Sequence, residues 1–114
     1  MRELAIVALP EAYLTSFGAV EDAVRLIDER RVRVMPEATA DTELRLHLVS
    51  PDGSPFAVGS LTARPEAVGV IPVQMDFIWL PGFRIGAPDL AAERIRKLAP
   101  LGDWLVRQAA GGAI

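Results

Sequence analysis

The sequence predicts an α/β fold, a three-layer sandwich in which helices cover both faces of a mainly parallel sheet. Two runs have the composition of strands that are buried on both faces: residues 4–9, which are all apolar, and residues 76–80, in which four apolar residues follow Asp76. Elsewhere apolar residues recur at steps of three and four, which is typical of amphipathic helices. Strands that alternate with helices favour right-handed crossovers and a parallel sheet.

The first helix is predicted after the run 4–9, where apolar residues follow the helical period at Phe17, Val20, Val24 and Ile27. Thr15 or Ser16 can cap this helix, because a hydroxyl at that position accepts hydrogen bonds from the free amides of the first turn. The loop between strand and helix therefore spans residues 10–17.

A second strand is predicted over residues 44–48, where leucines alternate with Arg45 and His47. The alternation indicates one polar side and a place near a sheet edge, with His47 as a surface or hydrogen-bonded residue. Residues 50–55 form a turn around an Asp-Gly pair. We expect a short extended piece or hairpin arm over residues 56–63, and then loop and short strand.

The run 76–80 ends at a Pro-Gly pair, where the chain must turn sharply. Pro88 begins the next helix, which we expect to end near Leu98, and Pro100 begins another that stops at a Gly-Gly pair. Trp79 and Trp104 have apolar neighbours, so we expect both in the core.

Size and composition fit one globular domain that spans residues 1–114, since 51% of the residues are apolar and 24% are charged. The net charge is −3, and Arg30, Arg31 and Arg33 form the one notable basic cluster. A nucleic-acid-binding surface needs basic residues along one face, so DNA binding is not expected within these residues.

Several kinds of site are excluded by residue type. The chain has no cysteine, which excludes disulfides and a cysteine nucleophile within it and fits a reducing cytosol. His47 is the one histidine, and the sequence has no cluster of carboxylates at the spacing of metal ligands. We therefore predict neither a metal nor a cofactor. The run 4–9 is too short for a signal peptide or for the roughly 20 residues of a membrane span. We expect a cytoplasmic protein without membrane contact.

Four segments together resemble the ThiJ/PfpI superfamily, and most closely the version at the N-terminus of AraC-type transcriptional regulators. In order, they are residues 6–10 (IVALP), 48–53 (LVSPDG), 76–82 (DFIWLPG) and 104–114, which ends in GGAI. The resemblance implies a flavodoxin-like sheet that is incomplete at the C-terminus. The implied next elements are a strand that begins near Ile114, a tight turn that carries a cysteine, and a separate DNA-binding part.

Ligands of open α/β sheets bind beyond the carboxyl ends of the strands, which points to residues 10–17 and 82–87. Hydroxyl groups are available in the first loop, and the second offers a planar guanidinium suited to carboxylate together with a glycine amide that we expect to be open. The predicted ligand-binding residues are Tyr13, Thr15, Ser16, Gly82, Phe83 and Arg84.

No catalytic residue is predicted. In the enzymes that this chain resembles, a Glu or Asp shortly before the first helix lies close to the cysteine, and the matching place here holds Thr15. A hydroxyl cannot exchange a proton near neutral pH as a carboxylate does. Glu11 is the one carboxylate of that loop. The loop would have to fold back for Glu11 to reach the site.

The function expected from the resemblance is the ligand-sensing and dimerisation portion of an AraC-type regulator. Its partners would be an unknown small-molecule effector, a second copy of the chain, and DNA through a C-terminal domain that is missing here. One alternative is a fragment of a ThiJ/PfpI hydrolase, hydratase or deglycase, and another is a stand-alone interaction module.

Overall fold

A computed structural model describes residues 1–35, 37, 43–82, 84 and 88–114. Within these described residues, six strands and three α-helices follow one another. In order they are β1 (Arg2–Val7), α1 (Leu14–Val34), β2 (Leu44–Ser50), β3 (Phe56–Val58), β4 (Leu61–Ala63), β5 (Glu66–Ala67), β6 (Phe77–Trp79), α2 (Pro88–Lys97) and α3 (Ala99–Ala110). A single 3-10 turn, Val68–Val70, lies between β5 and β6.

Four strands form a parallel sheet in the order β5-β2-β1-β6. The two apolar runs are therefore adjacent, with Leu4 opposite Phe77 and Ile6 opposite Trp79. Helix α1 connects β1 to β2 and contacts both strands, which is the crossover that parallel pairing requires. The predicted α/β fold class with a mainly parallel sheet is confirmed.

The core is centred on β1, whose residues from Ala5 onward are buried together with Ala8 and Leu9. Helix α3 contributes Leu101 and Trp104 to the same core. The core position predicted for Trp104 is thus confirmed. Helix α1 buries Phe17 alone, because the apolar side chains of its second half remain exposed, so its predicted apolar face is used only in part.

Strand β6 is parallel to β1 as predicted, but its predicted burial is wrong. The side chains of Phe77 and Trp79 are each 39% exposed, because among the described strands β6 lies at the edge of the sheet. Trp79 is therefore not a core residue, and its indole N–H donates to the carbonyl of Ser16. Beside β6, the Ile114 amide donates to Asp76 O (3.1 Å), and its carbonyl accepts from Ile78 N (2.8 Å). Such bonds are those of a parallel ladder.

Strand β2 is close to the other edge, as its alternation predicted. Its neighbour β5 pairs only with Val49 and Ser50, so most of β2 has one paired side. His47 is hydrogen-bonded there on both ring nitrogens, with Nε2 2.7 Å from Glu3 Oε2 and Nδ1 3.2 Å from Glu66 Oε1. The prediction of a satisfied histidine is confirmed.

The turn after β2 forms as its sequence predicts. Ser50 Oγ accepts from Gly53 N at 2.9 Å, and Asp52 Oδ1 accepts from Ser54 N at 3.0 Å. Gly53 has a φ of +75°, which is the left-handed region that an Asp-Gly turn uses. Strands β3 and β4 then pair as an antiparallel hairpin.

Helices α2 and α3 confirm the two proline signals. Helix α2 begins at Pro88, and α3 carries Pro100 in its first turn. The end of α3 at the predicted Gly-Gly pair is also confirmed, since Gly111 is the C-cap and Gly112 has a φ of +108°. Within the described ranges, no helix is both long and apolar enough to cross a bilayer.

Candidate ligand-binding cleft

The two predicted ligand-binding loops lie together at the carboxyl ends of β1 and β6. Tyr13 N donates to Gly82 O (3.0 Å), and Gly82 N donates to Ser16 Oγ (2.6 Å). Arg84 N donates to Glu11 O at 2.8 Å. Three hydrogen bonds thus join the loops, which places the predicted site at the edge of the sheet where ligands of this architecture bind.

Ser16 joins the two loops and does not cap the helix. Helix α1 begins at Leu14, its N-cap is Tyr13, and no side chain accepts a capping bond there, so the predicted capping by Thr15 or Ser16 is wrong. The Ser16 hydroxyl lies within the first turn and is bonded to the Gly82 amide. That amide is therefore not open to a ligand, contrary to the sequence-based expectation, and the side chain of Thr15 is exposed.

Arg84 contributes a cationic side chain to the site. Its guanidinium carbon lies 5.6 Å from the centroid of the Tyr13 ring, within the range of a cation–π contact. Among the described residues it has no carboxylate partner. Tyr13 is half-exposed and acts here as a platform for the cation. The prediction for Phe83 lies outside the described residues.

Two adjoining cavities form one cleft at this edge of the sheet. The first has a volume of about 370 Å³ and is lined by Pro10, Glu11, Arg84 and Arg94. The second has a volume of about 310 Å³ and shares Pro10, Glu11 and Arg94 with the first. Its other lining residues are Leu9, Ser50, Pro51, Asp52, Ser54, Pro55, Phe56, Lys97 and Leu98.

Glu11 lines this cleft, and its loop folds back, which is the condition that the sequence argument set for Glu11 to reach the site. The amide of Ala12 donates to the carbonyl of Leu9 at 3.0 Å, which folds the loop back directly after β1. The carbonyl of Glu11 is in turn held by the Arg84 amide. A carboxylate is therefore present at the site, although not at the position that the resemblance implied.

Sequence reasoning missed the contribution of β2 and α2 to the cleft. The turn after β2 ends at the same edge of the sheet as the loop after β1, which parallel pairing of the two strands already implies. Arg94 and Lys97 are three residues apart, so they share a face of α2. That spacing is visible in the sequence, but it does not say which loop the face meets.

The side chains of the cleft suit binding of a charged ligand. Arg84, Arg94 and Lys97 are cationic, and Glu11 and Asp52 are acidic. Lys97 Nζ also contacts Glu93 Oε1 at 3.7 Å. No group of three or more His, Asp and Glu side chains that could hold a metal occurs in the described part of the chain.

Comparison with a solved structure identifies the fold. No protein-family model and no curated protein matches the sequence. The structure is similar to that of the DJ-1 superfamily protein Atu0886 from Agrobacterium tumefaciens, with a TM-score of 0.57 and 19% sequence identity over 100% of this chain. The chain has a DJ-1 superfamily fold. It spans about half, 51%, of the length of that protein.

In this DJ-1-type fold, the cleft occupies the carboxyl edge of three neighbouring parallel strands, β2, β1 and β6. The ThiJ/PfpI-type architecture predicted from the four sequence segments is confirmed at the level of the fold. What the cleft binds depends on its own side chains, because one fold carries many unrelated functions.

Proposed function

We propose that this chain is the ligand-sensing part of an AraC-type transcriptional regulator of the ThiJ/PfpI superfamily. The observation that supports it best is the cleft, in which the Arg84 guanidinium lies over the Tyr13 ring and the Arg84 backbone amide donates to the Glu11 carbonyl. Such a site can hold a ligand without large rearrangement, because the cation is already in place. The sequence resemblance supplies the regulator class, and DNA binding belongs to residues outside this chain.

Binding without turnover is favoured by the chemistry of the lining. The chain contains no cysteine. The hydroxyls that line the described cavities belong to Ser50, whose Oγ accepts from Gly53 N, and to Ser54, and no histidine lines them, so they contain no pair of a serine nucleophile and a histidine base. The cleft therefore has groups that orient a ligand, while a nucleophile would have to come from elsewhere.

A second candidate is a hydrolase, hydratase or deglycase whose cysteine is supplied outside this chain. The position of Glu11 favours it, because a half-buried carboxylate at the carboxyl end of β1 is placed to exchange protons with a ligand in the cleft. The third candidate is a stand-alone interaction module. An interaction module requires no chemistry in the cleft, and no contact among the described residues specifically favours this candidate.

The coding sequence beyond Ile114 distinguishes the three candidates. A cysteine at a strand-to-helix turn followed by a helix-turn-helix supports the regulator, such a turn alone supports the enzyme, and an immediate stop supports the module. If the regulator hypothesis holds, we propose a homodimer, since two operator half-sites require two DNA-binding domains. Sedimentation equilibrium of the whole polypeptide measures this.

Activity assays on the whole polypeptide test the distinction between sensor and enzyme. We expect no hydrolase, hydratase or deglycase turnover and no difference between wild type and Glu11→Gln in those assays. Turnover that is lost in Glu11→Gln but kept in Thr15→Ala would refute the sensor proposal, because it would show Glu11 acting as the acid or base.

Ligand binding is tested separately by thermal shift with a library of small metabolites of every charge. We expect a stabilising compound whose effect is lost in Tyr13→Ala, because this variant removes the platform beneath Arg84. The control Thr15→Ala changes a neighbouring exposed side chain that lines none of the described cavities. A library without any stabilising compound would contradict the proposal.

A further inference from the structure

The cleft also indicates the chemical class of its ligand, an inference that rests on the proposed function. We propose that the ligand is a small organic monocarboxylate with an apolar body. Its charged group lies at Arg84 and Arg94, and its body lies against the wall formed by Pro10, Phe56 and Leu98.

Arg84 is suited to hold the carboxylate. Its guanidinium carbon lies over the Tyr13 ring, and no carboxylate among the described residues pairs with its N–H groups. The planar edge of a guanidinium matches the two oxygens of a carboxylate in a bidentate arrangement. The backbone of the residue is fixed by its bond to Glu11 O, so a ligand that binds here loses little free energy to ordering of the loop.

The charge of the cleft favours a monoanion. Among the described residues that line the two cavities, the cations Arg84, Arg94 and Lys97 outnumber the acids Glu11 and Asp52 by at most one, since Lys97 also pairs with Glu93. A ligand with one negative charge therefore suits the lining better than a ligand with two. A phosphate dianion would also lie close to Glu11 and Asp52, where like charges repel. Monocarboxylates are therefore favoured over phosphate esters.

The second cavity provides the apolar end of the cleft. The apolar or proline side chains around it come from the loop after β1, the turn after β2, the start of β3 and the junction between α2 and α3. They are Leu9, Pro10, Pro51, Pro55, Phe56 and Leu98. The volume of this cavity, about 310 Å³, is at the lower end of the roughly 300–1,000 Å³ of ligand pockets, which favours a small apolar body.

Titration of the isotope-labelled chain, followed by NMR, tests the proposal with acetate, butanoate, hexanoate and benzoate. We expect hexanoate or benzoate to bind with a Kd on the order of 1 mM and to shift the amide signals of Gly82 and Arg84. Acetate, which lacks the apolar body, should bind more weakly. Benzamide, the uncharged analogue of benzoate, and inorganic phosphate should each bind at least about tenfold more weakly than benzoate.

Variants identify the residues that carry the recognition. Arg84→Gln should weaken benzoate binding by about 10- to 100-fold, the effect of a lost charge-assisted hydrogen bond. Arg94→Gln is the second variant and should weaken binding in the same direction. The matched control is Arg96→Gln, which removes an exposed arginine of α2 that does not line either cavity. It should leave the Kd unchanged.

Three results would overturn the inference. The first is the absence of binding by every carboxylate of the series, and the second is benzamide or phosphate binding as tightly as benzoate. The third is an unchanged Kd in both Arg84→Gln and Arg94→Gln. A neutral metabolite that binds in the cleft would overturn this inference but leave the sensor proposal intact. Turnover that depends on Glu11 would refute the sensor proposal but leave the inferred ligand class intact.

Discussion

The substitution Gly53→Ala tests how tightly the turn after β2 is built. Gly53 has a φ of +75°, and a Cβ at this position would lie 2.7 Å from the backbone nitrogen of Ala67. Ala67 belongs to β5, which is paired with β2 through only two residues. A side chain at position 53 must therefore either displace β5 or distort the turn, whose residues line the cleft.

The expected loss of stability has two parts. A left-handed backbone costs a residue with a side chain about 1–2 kcal/mol, and forcing an extra carbon into a filled space costs about 1–3 kcal/mol. Alanine also restricts the unfolded chain, which offsets about 0.4–1 kcal/mol. We expect Gly53→Ala to lower the free energy of unfolding by about 2–3 kcal/mol in total.

Gly59→Ala is the matched control. Gly59 also has a left-handed backbone, with a φ of +60°, but a Cβ there would have no atom within 4 Å. It should lower the free energy of unfolding by about 1 kcal/mol or less. Urea denaturation of both variants measures the difference, provided that the m-values agree with wild type. If Gly53→Ala costs no more than Gly59→Ala, the steric argument about Ala67 is wrong.

Two further substitutions test single contacts. Ser16→Ala removes the acceptor of the Gly82 amide and should lower the free energy of unfolding by about 1 kcal/mol. Hydrogen exchange at the Gly82 amide should become faster, and an unchanged exchange rate would count against the contact. His47→Leu removes the contacts with Glu3 and Glu66. Because the Glu3 side chain is only 12% exposed, we expect the free energy of unfolding, measured by urea denaturation, to fall by about 2 kcal/mol. The same loss in Glu66→Gln alone would show that Glu3 contributes little.

The amino-acid sequence by itself determined the features that depend on neighbouring residues. The uninterrupted run at residues 4–9 indicated the buried central strand, and Pro88 and Pro100 marked the beginnings of two helices. Gly53 marked the turn that ends β2. Each signal depends on the residue type at its own position. The apolar run suits a strand that is covered on both faces, proline fixes its backbone angle φ, and glycine allows a positive φ.

Only the tertiary structure decided which strand lies at the edge and which groups of the loops remain free. Residues 77–80 are as uniformly apolar as the central strand, yet among the described residues β6 has β1 on one side and Ile114 alone on the other. The Ser16 hydroxyl caps no helix and instead accepts a hydrogen bond from the Gly82 amide, 66 residues away in sequence. Such pairings depend on the order of strands in the sheet, and no local pattern of residues encodes that order.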